Sequence, residues 1–304
     1  MAKILIIGGG GMVGQKLAHR LAADAIGQND DVTLFDMVFP ENGAPAAEWI
    51  VGNVTDDEAI RKLAARRFDT VFHLVAIVSG ESEMNFDLGW NVNMVAFRTF
   101  LEAFRAEVEV SEFSYKPKIV FTSSIAVFGA PYPDKIDDEF LQAPQTSYGA
   151  QKAISELMLT DYSRKGFFDG LSIRLPTICV RPGKANLAAS SFFSGIIREP
   201  LNGQEALLPV PRHVRHWHAS PKSAAGFLHH AASIDLAEVG HRRALNMPGV
   251  SCTVEEQIEA LRDVAGNDVV SLIREEPDDR IMTIVQGWPR DFAPERALAL
   301  GFQA

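Results

Sequence analysis

The sequence is poor in cysteine, with only Cys179 and Cys252 among 304 residues. Two thiols cannot form a disulfide framework, and such scarcity is typical of a chain that folds in a reducing compartment. No stretch approaches the ~18 consecutive apolar residues of a membrane span. The apolar run at the N-terminus meets four glycines too early for a signal peptide. These absences predict a cytoplasmic protein that has no membrane partner.

Positive charge is also in short supply, because 29 Lys and Arg face 39 Asp and Glu and leave a formal net charge of −10. An acidic chain is repelled by phosphate backbones, so nucleic acid is excluded as a partner. The hydrophobic fraction of 47% and charged fraction of 22% exclude a disordered chain. The length predicts about two folding units, or one large α/β domain with an addition.

Strand and helix patterns alternate along the first 175 residues, which predicts a doubly wound parallel sheet with right-handed crossovers. The predicted strands cover residues 4–7, 32–35, 49–51, 70–75, 118–122 and 171–175. The predicted helices cover residues 12–23, 56–66, 85–104 and 146–165.

After residue 175 the alternation ends and proline and glycine become frequent. We therefore predict a first domain, built on the parallel sheet, over residues 1–175, completed by a later segment near 220–250. Residues 176–304 would form most of a smaller, irregular substrate lobe, with helices at 221–233 and 254–265.

A glycine-rich turn joins the first strand to the first helix, with Gly8, Gly11 and Gly14 at regular spacing. Gly8 permits a tight turn, Gly11 lets the backbone approach a pyrophosphate, and Gly14 allows close helix–strand packing. Met12 and Val13 open the helix, whose N–H groups and dipole bind phosphates. The turn predicts a dinucleotide site, although a generic α/β turn is the alternative.

Further cofactor contacts are predicted at the carboxyl ends of the following strands. Asp36 ends the second strand, where a carboxylate would bind ribose hydroxyls and repel a 2′-phosphate, which favours NAD over NADP. A plain turn aspartate is the alternative. We expect further contacts to the adenine or the phosphates from Asn53, Val54, Leu74, Val75 and Ala76. The alternative is that these five residues only pack in the fold.

Tyr148 and Lys152 are spaced i and i+4, which puts both on one helix face. A free phenol has a pKa near 10 and is a poor base. A nearby ammonium and an oxidised nicotinamide would favour the phenolate, which could then take a proton from an alcohol. Ser123 and Ser124 end the fifth strand, where a hydroxyl could hold the substrate oxygen.

These motifs, together with residues 71–76 and 121–129, resemble the extended short-chain dehydrogenase/reductase family. The resemblance implies a Rossmann fold of about seven strands and a homodimer formed through the two long helices. It implies a catalytic group of Ser124, Tyr148 and Lys152. It implies further NAD contacts, which are Asn91, Ser123, Tyr148, Lys152, Pro176 and Thr177.

A finer resemblance, to the sugar-acid oxidoreductases of this family, is carried by residues 79–89, 175–183, 188–193 and 214–221. It implies oxidation of the C2 hydroxyl of a small sugar acid with NAD. Two departures from the wider family are Phe128 in place of a frequent tyrosine, and the lack of an Asn-x-x-Gly-Pro-like stretch within residues 174–183. The second counts against nucleotide-sugar recognition.

An acidic substrate is also indicated by a basic segment, because residues 174–222 hold seven Lys and Arg against two Glu. Such a patch attracts a carboxylate that the acidic chain would otherwise repel. Arg181 is the predicted carboxylate anchor, with Ser79 and Asn186 as hydroxyl partners. The alternatives are that these cations pair with carboxylates elsewhere, or bind a diphosphate.

Histidines cluster in the same segment, and His216 and His218 could share one strand face. No acidic residue or cysteine lies among them and the chemistry needs no metal, so we predict a polar pocket wall or interface and no metal site. Cys179 is interpreted as a packed apolar residue.

Three functions remain open at this stage. The first is an NAD-dependent dehydrogenase acting on a small acidic substrate. The second is a nucleotide-sugar epimerase or dehydratase with tightly bound NAD. The third is a non-catalytic dinucleotide sensor, which would not need the serine–tyrosine–lysine set.

Overall fold

A computed structural model describes residues 2–27, 29–46, 48–183 and 190–304. Asn186, predicted as a substrate contact, lies outside the described residues. Within them no helix is both long and apolar enough to cross a bilayer.

The described strands are, in chain order, β1 (Lys3–Ile7), β2 (Asp31–Asp36), β3 (Glu48–Val51), β4 (Thr70–His73), β5 (Lys118–Ser124), β6 (Asp169–Leu175), β7 (Thr177–Ile178), β8 (Ala206–Leu208), β9 (Arg215–Ala219), β10 (Ala244–Asn246), β11 (Val250–Thr253) and β12 (Ile273–Glu275). The described α-helices are α1 (Met12–Ala23), α2 (Asp57–Ala64), α3 (Ser79–Met84), α4 (Phe86–Trp90), α5 (Ala96–Val110), α6 (Ser147–Arg164), α7 (Ser191–Leu201), α8 (Pro221–Ser233), α9 (Leu236–Val239), α10 (Val254–Ala265), α11 (Asn267–Val270), α12 (Asp279–Gln286) and α13 (Glu295–Ala299).

Seven strands form one sheet in the order β10-β6-β5-β4-β1-β2-β3, and every neighbouring pair is parallel. The apolar run of β1 is completely buried from Ile4 to Ile7, as expected for a strand covered on both faces. Successive strands are added toward one edge from β1 to β3 and toward the other edge from β4 onward, and this switch point between β1 and β4 places the ligand crevice at the carboxyl ends of the strands. The predicted doubly wound sheet of about seven strands is confirmed.

Helices cover both faces of the sheet. On one face α1 and α8 pack together over Ile4, Ile6 and Val120. On the other face α2, α5 and α6 pack over Leu5, Ile7 and neighbouring side chains. The seventh strand β10 comes from far along the chain and pairs with β6, with Ala244 opposite Ser172. Residues 221–246 therefore add a helix and an edge strand to the sheet formed by the first 175 residues.

The helix predicted over residues 85–104 is the largest correction. The structure begins this layer earlier with α3 and α4, inserts a π-helical turn over Asn91–Val95, and continues in α5 to Val110. Asn93 within the turn is buried, accepts the Ile77 N–H at 2.8 Å and donates to Gln151 Oε1 at 2.7 Å. These contacts join the widened turn to the β4–α3 segment and to α6, a tertiary effect that helical periodicity does not reveal.

The remaining segment contains two small sheets, β11-β9-β7 and β12-β8. Helices α8 and α10 have the predicted bounds, because each begins at a strong N-cap. Ser220 accepts the Ser223 N–H, and Thr253 forms a reciprocal capping box with Glu256.

Candidate active site

A cleft of about 580 Å³ opens at the carboxyl ends of β1, β4, β5 and β6. It lies where ligands bind in open parallel sheets. Most of the predicted site residues line it. They are Gly8, Gly11, Met12, Val13, Gly14, Leu74, Ala76, Ser79, Ser123, Ser124, Tyr148, Lys152, Pro176, Thr177 and Arg181.

The glycine turn has the geometry of a phosphate cradle. Gly8 has a φ of +91°, which favours glycine. A Cβ at Gly14 would lie 2.3 Å from the Gly8 carbonyl oxygen, so α1 packs against the turn without room for a side chain. A Cβ at Gly11 would meet only that same oxygen, at 3.4 Å, and Gly11 is exposed to the cleft. The backbone at Gly11 is therefore open to a ligand.

The N-terminus of α1 has no side-chain cap. Its first N–H groups, which begin at Met12, are left for a ligand, and the helix dipole favours an anion there. Asp36 ends β2 beside the turn, where its Oδ2 accepts the Gly10 N–H at 2.9 Å. These features fit the pyrophosphate and ribose of a dinucleotide.

Other predicted cofactor contacts lie beyond the lining of the cleft. Asn53 is exposed and accepts the Thr55 N–H through Oδ1, while Val54 is buried. Val75 packs against the core beneath the sheet. Asn91 is exposed in the π-helical turn. Asp36 and these four residues stay predictions as cofactor contacts.

Tyr148 and Lys152 lie one above the other on α6 and face the end of β5, which carries Ser124. Helix α6 begins where Thr146 accepts the Gly149 N–H. The Lys152 Nζ donates to the Thr122 carbonyl oxygen at 2.7 Å and lies 5.7 Å from the centre of the Tyr148 ring. The structure therefore brings the serine, the tyrosine and the lysine to one wall of the cleft.

Burial changes the acidity of both groups in opposite directions. Loss of solvation lowers the pKa of Lys152 to about 7, although the nearby Glu156 carboxylate raises it. Burial raises the pKa of Tyr148 to about 12, and a hydrogen bond with Ser124 works against this rise. The phenol is therefore protonated at neutral pH until positive charge is added beside it.

Ser123 lines the cleft, but its hydroxyl points below the floor and donates to Glu156. Glu156 also accepts from Gln142 and forms a buried ion pair with Arg174, whose Nη2 lies 2.9 Å from Oε2. Arg174 in turn donates to Asn246 on β10 at 3.1 Å. Our sequence reasoning missed Glu156, although its i+4 spacing from Lys152 was a usable signal.

The other end of the cleft is cationic. Arg181 lines it, and its Nη2 donates to Ser190 Oγ at 3.2 Å. Arg198 lines it as well, donates to the Arg181 carbonyl oxygen at 2.9 Å and pairs with Glu199.

The rest of the basic segment lies elsewhere. Arg174 forms an ion pair with Glu156 beneath the floor of the cleft, and Arg212 and Arg215 form ion pairs with glutamates away from it. Lys222 is exposed, and Lys184 lies outside the described residues. The alternative that these cations pair with carboxylates thus holds for four of the six that the structure describes, and Arg198 is the one of the four that also lines the cleft.

His216 and His218 share the buried face of β9, as predicted. The carbonyl of Pro289 can only accept, so His216 Nδ1 is the donor to it at 2.8 Å, and Nε2 accepts from the Thr177 hydroxyl at 2.7 Å. Burial lowers the pKa of His216 to about 4, so it is neutral. Among the described residues no cluster of His, Cys, Asp and Glu is arranged to hold a metal ion.

The outer wall of the cleft comes from the C-terminal part of the predicted substrate lobe, in which sequence reasoning singled out no residue. Gly287, Trp288 and Pro289 line it. The Tyr132 hydroxyl donates to the Gly287 carbonyl oxygen at 2.9 Å, and Trp288 packs against His216. No motif marks these residues, because chain folding alone brings them to the cleft.

Comparison with known proteins identifies relatives that align along nearly the whole chain. A curated protein from Cupriavidus necator, named D-erythronate dehydrogenase, is 44% identical over 309 residues, covering 99% of this chain and 94% of its own. A protein of the same name from Haemophilus influenzae is 40% identical over 303 residues, with the same coverages of 99% and 94%.

A solved structure from Agrobacterium tumefaciens, described as a nucleoside-diphosphate-sugar epimerase, has a TM-score of 0.94 and 54% identity. The alignment covers 100% of this chain and 90% of that one. The model of the NAD dependent epimerase/dehydratase family matches residues 4–238. The chain therefore belongs to the NAD-dependent epimerase/dehydratase family.

Proposed function

We propose that this protein is an NAD-dependent dehydrogenase that oxidises the C2 hydroxyl of a small sugar acid, such as D-erythronate, to the 2-keto acid. The observation that carries the proposal is one cleft that joins Ser124, Tyr148 and Lys152 to a cationic end formed by Arg181 and Arg198. The two curated relatives that align along nearly the whole chain are named for this activity.

Tyr148 is the proposed base, and its phenolate oxygen accepts the proton of the C2 hydroxyl. Ser124 holds the substrate oxygen beside it. Lys152, one helical turn away, adds positive charge that favours the phenolate over the phenol. When bound, NAD supplies the acceptor for the hydride that leaves C2 as the carbonyl forms, and its oxidised ring adds a second positive charge.

The sugar-acid carboxylate is proposed to bind Arg181, as the sequence predicted, with Arg198 adjoining it. Both guanidinium groups lie in an otherwise acidic protein, so they create a local field that attracts an anion. Ser79 lines the same cleft and could bind a substrate hydroxyl.

The cofactor is proposed to extend from the glycine turn to Pro176 and Thr177. Asp36, which already accepts the Gly10 N–H, would bind the adenosine ribose and select NAD. We assign cofactor binding to residues 1–175 with the added strand β10, and substrate recognition mostly to residues 176–304. The free cysteines and the dependence on NAD support a cytoplasmic location.

A second candidate function is nucleotide-sugar epimerisation. It is favoured by the description of the Agrobacterium tumefaciens structure, whose chain is 54% identical. An epimerase returns the hydride to its product, so it forms no net NADH.

The test is NADH formation, followed by absorbance, with NAD and a panel of four- to six-carbon aldonates and uronates. Nucleotide sugars serve as the comparison set, and their products are analysed by chromatography. We expect NADH with a sugar acid and none with a nucleotide sugar. Conversion of a nucleotide sugar without NADH, and no reaction with any sugar acid, would replace this proposal by the epimerase.

We also propose that the protein is a homodimer formed across the layer of α4 and α6. Large apolar side chains are exposed there, and they include Phe86, Val95 and Leu157. Leu157 is 64% exposed on the face of α6 opposite the catalytic residues. A second copy of the chain would cover this surface.

A further inference from the structure

Three ionisable side chains lie buried beneath the floor of the cleft. Lys152 and Glu156 are each 2% exposed, and Arg174 is 9% exposed. Lys152 and Glu156 are four residues apart on α6, so they are neighbours on one helix face. A carboxylate therefore lies one turn below the lysine that the proposed mechanism uses.

Every described contact of the Glu156 carboxylate is with a donor. Oε1 accepts from the Ser123 hydroxyl and from Arg174 Nε at 3.0 Å. Oε2 accepts from Gln142 and from Arg174 Nη2 at 2.9 Å. A protonated carboxyl would need an acceptor for its own hydrogen, so this arrangement suits the anion.

The other groups that face Lys152 carry no negative charge. Strand β5 contributes the Thr122 carbonyl oxygen and the Phe121 ring, whose centre lies 4.5 Å from Nζ. Strand β4 contributes His73, which burial and Lys152 keep neutral by lowering its pKa to about 3. On α6, Tyr148 is the other titratable neighbour. The carbonyl dipole and the ring face also favour the ammonium, but of the described groups Glu156 is the one that does so with a full negative charge.

We propose that Glu156 is a positioning residue that keeps Lys152 protonated inside the protein and thereby supports ionisation of Tyr148 during turnover. The inference rests on the proposed dehydrogenase function for its effect on catalysis. The effect of Glu156 on the protonation equilibrium of Lys152 does not depend on that function and can be measured without turnover. Arg174, Ser123 and Gln142 keep the carboxylate in place.

The test compares Glu156→Gln, which removes the charge, with Glu156→Asp, which keeps it. Gln142→Met is the matched control, because it removes one hydrogen bond to Glu156 and no charge. Lys152 is titrated by NMR in protein labelled with ¹³C-lysine, with and without saturating NAD, and its signal is assigned by its loss in Lys152→Arg. The pH dependence of kcat/KM is measured on the same variants.

In Glu156→Gln we expect the titration midpoint of Lys152 to fall by about one pH unit or more, a tenfold change in its protonation equilibrium. Less charge on Lys152 raises the pKa of Tyr148, so the acid limb of the kcat/KM profile moves to higher pH. In Glu156→Asp the midpoint of the Lys152 titration and that of the acid limb of the kcat/KM profile return toward the wild-type values. In Gln142→Met both stay unchanged. Thermal unfolding separates these shifts from a general loss of stability.

If Glu156→Gln does not fold because Arg174 is left unpaired, the double variant Glu156→Gln/Arg174→Met removes both charges of the pair. The downward shift is expected to persist, because the carboxylate is one helical turn from Lys152 on α6, whereas Arg174 reaches that carboxylate from β6. The proposal is overturned if Glu156→Gln leaves the Lys152 titration unchanged. It is also overturned if kcat/KM falls by the same factor at every pH, with no shift of the acid limb. If the Lys152 midpoint falls in Glu156→Gln as expected but the wild-type enzyme oxidises no sugar acid, the proposed function is rejected and the effect of Glu156 on Lys152 stands.

Discussion

Tyr148 shows how strongly a single residue depends on what binds beside it. Burial raises its pKa to about 12, and Lys152, whose own pKa is lowered to about 7, supplies only part of a full charge at neutral pH. The described side chains by themselves therefore disfavour the phenolate that the proposed reaction needs. Binding of an oxidised nicotinamide would add the missing positive charge, so cofactor binding and readiness for proton transfer are coupled.

Replacement of Tyr148 by phenylalanine removes the proposed base and leaves the glycine turn intact. We expect kcat to fall 10²-fold or more, the usual scale for loss of a general base, while NAD still binds. Steady-state kinetics and calorimetric titration with NAD measure the two effects. Tyr162→Phe, near the far end of the same helix, is the control and should keep full activity. An active Tyr148→Phe enzyme would disprove the assignment.

Arg181→Met should raise KM for a sugar acid by at least about tenfold, because the carboxylate loses a charged hydrogen-bond partner worth roughly 1.5–3 kcal/mol. KM for NAD should change much less. Arg212→Met is the control, since Arg212 pairs with Glu255 and Glu275 away from the cleft. Equal effects of the two substitutions on substrate KM would argue against Arg181 as the anchor.

The buried Lys152 also makes stability depend on pH. Its pKa in the folded protein, about 7, lies below the ordinary lysine value of 10.5. Between these values the unfolded chain binds more protons, so the free energy of unfolding rises with pH, by up to about 1.4 kcal/mol per unit. Below about pH 7 both states are protonated, and the cost of burying the charge is fully present.

This prediction is checked by urea unfolding of the wild type and Lys152→Met between about pH 6.5 and about pH 9.5. The wild type should gain stability relative to the variant as the pH rises. Parallel pH dependences of the two proteins would show that Lys152 keeps an ordinary pKa in the fold.

At the scale of elements, the join between β1 and α1 combines two glycines with different tasks. Gly14 is required by packing, because a Cβ there would lie 2.3 Å from a backbone oxygen. Gly11 faces the open cleft, where a Cβ meets one protein atom at 3.4 Å. Gly14 therefore serves the fold, and Gly11 is proposed to serve the ligand.

Gly11→Ala and Gly14→Ala should therefore separate stability from binding. We expect Gly14→Ala to lower the midpoint of thermal unfolding markedly, since turn and helix must move apart. Gly11→Ala should unfold near the wild-type temperature and yet bind NAD at least about tenfold more weakly, because its methyl group occupies the approach of the pyrophosphate. NAD binding unaffected by Gly11→Ala would mean that the phosphates lie elsewhere.

The helical layer of α3, α4 and α5 shows where local patterns fail. Its apolar spacing predicts one helix, and Phe97, Phe100 and Phe104 are indeed buried at helical spacing. The π-helical turn at Asn91–Val95 coincides with the contacts that Asn93 makes to Ile77 and Gln151. Those partners are remote in sequence, so periodicity could not place the interruption.

At the scale of the whole molecule, the proposed dimer is open to a direct test. Leu157→Glu puts a charge on the exposed apolar face of α6 and leaves the cleft on the opposite face alone. We expect light scattering after size-exclusion chromatography to show that the variant is a monomer. The substitution itself should hardly change the temperature at which one subunit unfolds. Leu207→Glu, an exposed leucine on β8, is the control. A wild-type protein that is monomeric at micromolar concentration would contradict the proposal.

The sequence by itself determined the alternation of strands and helices in the first half, the glycine turn and the serine–tyrosine–lysine group. These features are local, since strand and helix periods, tight turns and an i, i+4 pair depend on residues close in the chain. The same reasoning placed Arg181 among seven candidate cations, but it could not separate the cations that reach the cleft from those that pair with glutamates.

Only the tertiary structure decided that Arg198 and Gly287–Pro289 complete the cleft. It also placed β10 beside β6 and joined Glu156 to Arg174 beneath the catalytic lysine. These relations join residues far apart in the chain, and the packing that creates them depends on shape and burial over the whole molecule. No short pattern of residues encodes such contacts, and for this reason they were not predicted.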